Sequence, residues 1–170
     1  MPPRSSLIAV CACGGVELEA LGASIARVVC YCDHCQAAGR RIEALPGAAP
    51  VLDPDGGSDF LVFRQDRVRC VRGEDLLAPM KLSQGSPTSR HVATCCNSAM
   101  HLGFDDAKHW VDVYRKRVRG EAPPVQARIC TRFRPSDAGD LPGDAPAYRA
   151  YSFGLVAKIL AARIAMLFGP

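Results

Sequence analysis

What this chain has little of narrows its function before any motif is read. Its 170 residues contain no run of five or more like charges, the formal charge is only +4, and aromatic residues make up 6%. Basic stripes interleaved with aromatics are what nucleic-acid surfaces are built from, so no nucleic-acid partner is expected. Long apolar runs are also missing. The opening "MPPRSSLIAVCAC" offers four consecutive apolar residues, too few for a signal-peptide core, and the reading that follows is a cytoplasmic protein. Near the other end, Leu155 to Phe168 lacks a breaker, but fourteen helical residues reach only about 21 Å. That falls short of the roughly 30 Å hydrocarbon core, so no transmembrane segment is expected.

Punctuation, by contrast, is plentiful, with 15 glycines and 13 prolines. They separate short stretches that read as strands: Leu7 to Val10, Val16 to Leu21, Ile25 to Tyr31, Phe60 to Arg64 and Val68 to Val71, then Leu76 to Leu82, Arg90 to Cys95, Ala99 to Phe104 and Trp110 to Tyr114. The expected fold is mainly β. Residues 44–59 and 134–150 are rich in Pro, Gly and Asp without periodicity and read as loops. The division that follows is a β domain over 1–133, a linker over 134–150 and an apolar helix over 151–170. Lys158 and Arg163 are the main breaks in that helix's apolar surface, so it is expected to pack on its own domain or on a second copy of the chain.

Cysteine is the residue present in excess. There are nine, an odd number, and seven fall in clusters: Cys11 and Cys13 in "CACGG", Cys30, Cys32 and Cys35 in "CYCDHC", and Cys95 with Cys96 in "TCCNS". In a reducing compartment such clusters point to metal ligation or thiol chemistry rather than to a disulfide framework. Cysteines two or three residues apart on a tight turn can reach one ion, and Gly14 just after Cys13 lets the backbone curl around it. The middle cluster supplies three ligands locally, leaving a fourth position for water or substrate, which is how catalytic zinc is held. Cys11 and Cys13 supply half a site, and the Cys95/Cys96 pair is the candidate for the other half. A Cys32/Cys35 redox pair is the alternative for the middle cluster, although no βαβ pattern surrounds it. Cys70 and Cys130 stand alone and read as small buried apolar residues.

The order C-x-C-G, then C-x-C-x-x-C, then a strand-rich stretch and a last cysteine knuckle resembles the glutathione-dependent formaldehyde-activating enzyme family, which includes the centromere protein V relatives. The likeness spans roughly residues 7–104. It implies a β-tent fold with a structural zinc on Cys11, Cys13 and the last cluster, and a second zinc on Cys30, Cys32 and Cys35 open to the thiol of glutathione. The implied activity is that of a carbon–sulfur lyase acting on an adduct such as S-hydroxymethylglutathione, with zinc as cofactor and a small thiol as substrate. Arg40 and Arg41 are the nearest candidates to hold glutathione's carboxylates. The chain departs from the family at two places. Its closing knuckle "RHVATCCNSAM" has Ala93 where the family's first knuckle cysteine stands, leaving Cys95, His91 or a water to complete the site with Cys96. Its middle motif carries Tyr31, Asp33 and Gln36 where relatives commonly have His, Ser and Arg. A non-catalytic, zinc-stabilised binding module is the competing reading.

Overall fold

The computed structural model describes residues 6–169. All nine expected strands form: β1 (Ser6–Val10), β2 (Glu17–Leu21), β3 (Ala26–Cys30), β4 (Ser58–Arg64), β5 (Val68–Arg72), β6 (Leu77–Met80), β7 (Thr88–Ala93), β8 (Ser98–Phe104) and β9 (Trp110–Tyr114). A tenth, β10 (Ala127–Ile129), pairs parallel to β3, and three residues are too few to leave a periodic signal in sequence. The strands make a three-stranded sheet in the order β1-β2-β5 and a seven-stranded sheet in the order β10-β3-β4-β9-β8-β7-β6. The mainly β expectation holds.

The segment "SDFLVFR" of β4 shows why the large sheet has two cores. Its run of four apolar residues lacks the alternation of a half-exposed strand, and neighbouring side chains point to opposite faces. Phe60 and Val62 join one core with Val28, Leu102, Ile42 and Leu155; Leu61 and Phe63 join the other with Leu18, Met100, Val111 and Val113. The small sheet covers the second core through β2, and helices cover the first.

Those helices are α1 (Asp33–Glu43) and α2 (Phe153–Met166). The first covers a stretch to which the sequence reading assigns no element. Its start is marked by Cys32, whose Sγ accepts a bond from the Cys35 amide at 3.3 Å in place of the usual Ser or Asp cap. Gly39 further disguises it, yet glycine has a packing reason there: a Cβ would lie 2.5 Å from Leu52 Cδ2. At the C-terminal end α2 starts at the expected place, capped by Ser152 Oγ accepting from the Leu155 amide at 3.0 Å. Leu155 is buried, while Phe153 and Phe168 are 88% and 86% exposed. Among the described residues, no helix is long and apolar enough to cross a membrane. The end of the 134–150 segment runs beside β10, tied to it by the Tyr148 amide donating to Arg128 O at 2.8 Å and the Cys130 amide donating to Ala150 O at 3.1 Å.

Candidate metal centres

Two groups of cysteines converge, and they lie on opposite faces of the large sheet. Cys11, Cys13, Cys95 and Cys96 bring their sulfurs within 4.8 Å of one another, as do Cys30, Cys32 and Cys35. All nine cysteines are free.

The four-cysteine group joins the two sheets. Cys11 and Cys13 occupy the bend between β1 and β2, where Gly14 takes φ +83° and donates its amide to Cys11 O at 3.0 Å. Cys95 and Cys96 sit in the tight turn between β7 and β8. Adjacent ligands require that turn to bend sharply, and Asn97 supplies the bend at φ +52°, a left-handed conformation that asparagine tolerates better than most residues. Its side-chain Nδ2 donates to Pro46 O at 2.9 Å, which holds the turn in place. Sulfur separations are 3.6 Å for Cys11–Cys13, 3.8 Å for Cys11–Cys95, 3.3 Å for Cys13–Cys95 and 4.0 Å for Cys95–Cys96. A tetrahedron with metal–sulfur bonds of about 2.3 Å has edges of about 3.8 Å, so the donor set fits a four-thiolate ion. Surrounding donors complete the case. Val16 N–H points at Cys11 Sγ at 3.1 Å, and Ser98 Oγ lies 3.1 Å from Cys96 Sγ while accepting from the Ala12 amide at 3.0 Å. Burial works against ionisation of Cys96, but the Ser98 hydroxyl and the Cys13 backbone bring its thiol down to about 6. His91 is not part of this group. Its ring stacks on His101 with centroids 4.2 Å apart, beside a separate cavity of about 460 Å³ between the sheets.

The three-cysteine group is built by one corner of the chain. Cys30 ends β3, Cys32 caps α1 and Cys35 lies in its first turn, so the helix's partial positive end faces the sulfurs and favours their thiolate forms. Bonds donated by Cys30 and then Cys35 hold Cys32 far below the usual thiol range. Tyr31 and Gln36 brace this corner. Tyr31 is fully buried, donating to Asp55 Oδ2 at 2.7 Å and accepting from Arg128 Nη1 at 2.6 Å; Gln36 Nε2 donates to Tyr31 O at 2.6 Å and Phe133 O at 2.8 Å. Asp33 accepts from the His34 amide at 2.9 Å in the first turn.

Cys130 is buried in the core, as the sequence suggests. It lies beside Cys30, whose thiol it pushes up by hydrogen bonding, and it holds a left-handed φ of +58°. It is nonetheless outside the group within 4.8 Å, and among the described residues no other Cys, His, Asp or Glu joins the three. Cys70 is on β5 in the small sheet, donating to Arg72 O at 3.1 Å.

The three-cysteine group opens onto a cavity of about 520 Å³ beneath α2. Arg40 and Arg41 do not line it. They are exposed in the last turn of α1, where Arg41 Nη1 donates to Lys81 O at 3.2 Å. Arg90 and Lys108 are the cations that do line it. Arg90 is 1% exposed, its Nη2 lies 3.4 Å from His34 O, and its Nε and Nη1 have no partner. Asp112 faces the same space with Oδ1 unpartnered, and burial raises its carboxyl to about 7 against the pull of Arg90. The knuckle motif's arginine was visible in the sequence, but nothing there placed it beside the other cysteine group.

The fold and these two groups define a mainly β protein with two cysteine sites able to hold metal ions, one of four thiols and one of three. No protein-family model and no curated protein matches the chain. A crystal structure of a Rhodobacter sphaeroides protein superposes with a TM-score of 0.49 at 18% sequence identity, over 82% of this chain and 98% of that one. A likeness of that size carries no argument here.

Proposed function

We propose that the chain is a zinc protein in which Cys11, Cys13, Cys95 and Cys96 hold a structural ion, and Cys30, Cys32 and Cys35 hold a second ion that takes part in reversible carbon–sulfur bond chemistry with a small thiol. The observation that carries this reading is the three-sulfur group at the wall of a cavity, with no fourth ligand within the same span among the described residues. Three soft thiolates suit zinc, which as a Lewis acid would favour the thiolate form of an incoming thiol. The chain's own contribution is positional: the α1 N-terminus and Arg90 offset the negative charge gathered at the sulfurs, and α2 limits water above them. This is the chemistry of the formaldehyde-activating family, and the order of the cysteine clusters supports a divergent β-tent member of it. Glutathione is the thiol that the resemblance brings, with cytoplasm as the compartment in which nine free cysteines persist.

A second reading, a zinc-stabilised binding module, is favoured by the exposed apolar side chains along α2, Phe153, Leu160, Ile164 and Leu167, which suit packing against another copy or partner. Zinc per chain separates the two, measured by elemental analysis on the wild type and on a Cys30→Ser/Cys32→Ser/Cys35→Ser variant, both titrated with glutathione. Two zinc ions in the wild type and one in a folded variant, with glutathione perturbing only the former, is the expected result. Two in the wild type without response to any thiol would leave the module.

A further inference from the structure

The cavity beside the three cysteines is far larger and drier than its proposed chemistry with formaldehyde requires. One formaldehyde molecule needs little more than the roughly 30 Å³ of a single water, whereas the cavity measures about 520 Å³. Its body is walled by Phe60, Leu102, Trp110, Leu155, Ile159 and Leu160, from the sheet below and α2 above. Arg90, Asp112 and His34 stand with the cysteines, and Lys108 and His109 reach the lining beside Phe104 and Ile159.

Glutathione does not suit the apolar body. Its two carboxylates, ammonium and peptide groups would lie mostly against Phe60, Leu102, Trp110, Leu155, Ile159 and Leu160, which return no hydrogen bonds, and they outnumber the polar side chains that could replace their water. Arg90 is the second, independent observation. A guanidinium buried to 1% exposure on the cavity wall beside Tyr114, with Nε and Nη1 unpartnered and no ion pair among the described residues, has N–H groups left for a ligand acceptor.

The geometry points to an apolar aldehyde, of medium chain length or aromatic, as the electrophile that this cavity takes: its carbonyl oxygen on Arg90, its hydrocarbon under α2. The inference rests on the thiol chemistry proposed above and names its second substrate. The thiol sulfur forms a bond to the carbonyl carbon and the carbon–oxygen π pair moves to oxygen beside the Arg90 donors. The thiol's proton ends on that oxygen, giving a hemithioacetal with no oxidant or reductant consumed. The reverse cleaves the same carbon–sulfur bond. Arg90 stabilises the oxygen where charge develops, and Asp112 Oδ1 stands ready to accept from the hydroxyl formed.

Trp110, the chain's one tryptophan, lines the cavity and reports occupancy directly. Zinc-loaded protein would be titrated with straight-chain aldehydes from formaldehyde to octanal, reading Trp110 emission and binding heat, with borohydride trapping and mass measurement revealing any condensation with lysine, Lys108 included. Affinity is expected to rise about fourfold per methylene, the factor for moving one CH₂ out of water. Ile159→Lys, which puts a charge in the roof while leaving the backbone carbonyl that faces His109, is expected to weaken octanal at least tenfold and formaldehyde less than twofold. Arg90→Met is expected to weaken every aldehyde, with partial recovery in Arg90→Lys. If both fail to fold, the Ile159 variant still decides the matter.

Equal affinity from formaldehyde to octanal, or octanal binding untouched by Ile159→Lys, would overturn the inference even where zinc content and glutathione response uphold the thiol chemistry. A steep chain-length dependence in protein with an empty, glutathione-silent middle site would do the opposite, keeping the apolar occupant and removing the reaction proposed for it.

Discussion

The two cysteine groups are made from the same side chain and differ in almost everything else. The four-cysteine group is assembled from bends 84 positions apart in sequence, sits where the two sheets meet, and leaves Cys13 and Cys95 exposed. The three-cysteine group comes from six consecutive positions, is mostly buried, and faces a cavity rather than a second strand of ligands. The first therefore ties together parts of the chain that the unfolded state would hold far apart, and a metal there stabilises the fold directly. The corner carrying the second is already fixed by Tyr31, Gln36 and Arg128 without help from an ion. Under the proposed assignment, the first site is expected to be coupled to folding and the second to exchange ligands.

That contrast breaks if the sites respond alike to loss of a ligand. Cys11→Ser is expected to give the largest effect, release of one metal ion per chain and a loss of at least about 5 kcal/mol in stability, because structural metal binding is folding free energy. A denaturant midpoint read with metal content checks it, and a midpoint close to wild type would erase the distinction. The triple serine variant of Cys30, Cys32 and Cys35 is expected to lose one ion too, but only about 1–2 kcal/mol, since serine keeps the shape of the corner while its braces remain. An unfolded triple variant would make both sites structural.

The sequence made the strands legible because each is a short apolar run bounded by Gly, Pro or Asp, and the cysteine clusters because spacing alone brings ligands together. Helix α1 was not legible: its cap is a cysteine where a cap signal is normally Ser, Thr, Asp or Asn, and Gly39 breaks its pattern. The same helix changes the meaning of Arg40 and Arg41, which complement its C-terminal dipole instead of reaching the cavity. Arg90 could be seen as part of a knuckle motif, yet its place beside Cys35 depends on β7 lying in the same sheet as β3, and long-range pairing of that kind leaves no local trace.

A smaller effect sharpens the difference between the faces of the sheet by pH. Burial, and secondarily the neighbouring His91, bring His101 down to about 3, against an ordinary value near 6.5. The folded ring stays neutral where the unfolded one takes up a proton, so stability is lost as pH falls from about 6.5 toward 3. At pH 5 the loss amounts to about 2 kcal/mol relative to pH 8. His101→Leu is expected to remove that part of the acid sensitivity from the metal-loaded protein, and equal slopes for both proteins between pH 8 and 5 would refute it. Thiolate protonation at the metal sites adds its own slope in both, so the difference between the two profiles is the quantity to read.

The smallest effect concerns the cysteine that ought to matter least. Cys70 sits on β5, half-buried, with its thiol donating to Arg72 O and lying 3.5 Å from Glu17 O, on the side of the sheet away from the three-cysteine group. Two weak bonds to backbone oxygens and partial burial give Cys70→Ala an expected cost of no more than about 1 kcal/mol. Metal content and glutathione response should stay at wild-type values. Those two readouts carry the weight, because a lowered metal count in this variant would mean that a thiol from the small sheet reaches one of the ions. A middle site closed in that way would have no position left for a substrate thiol, whatever the cavity beside it accepts.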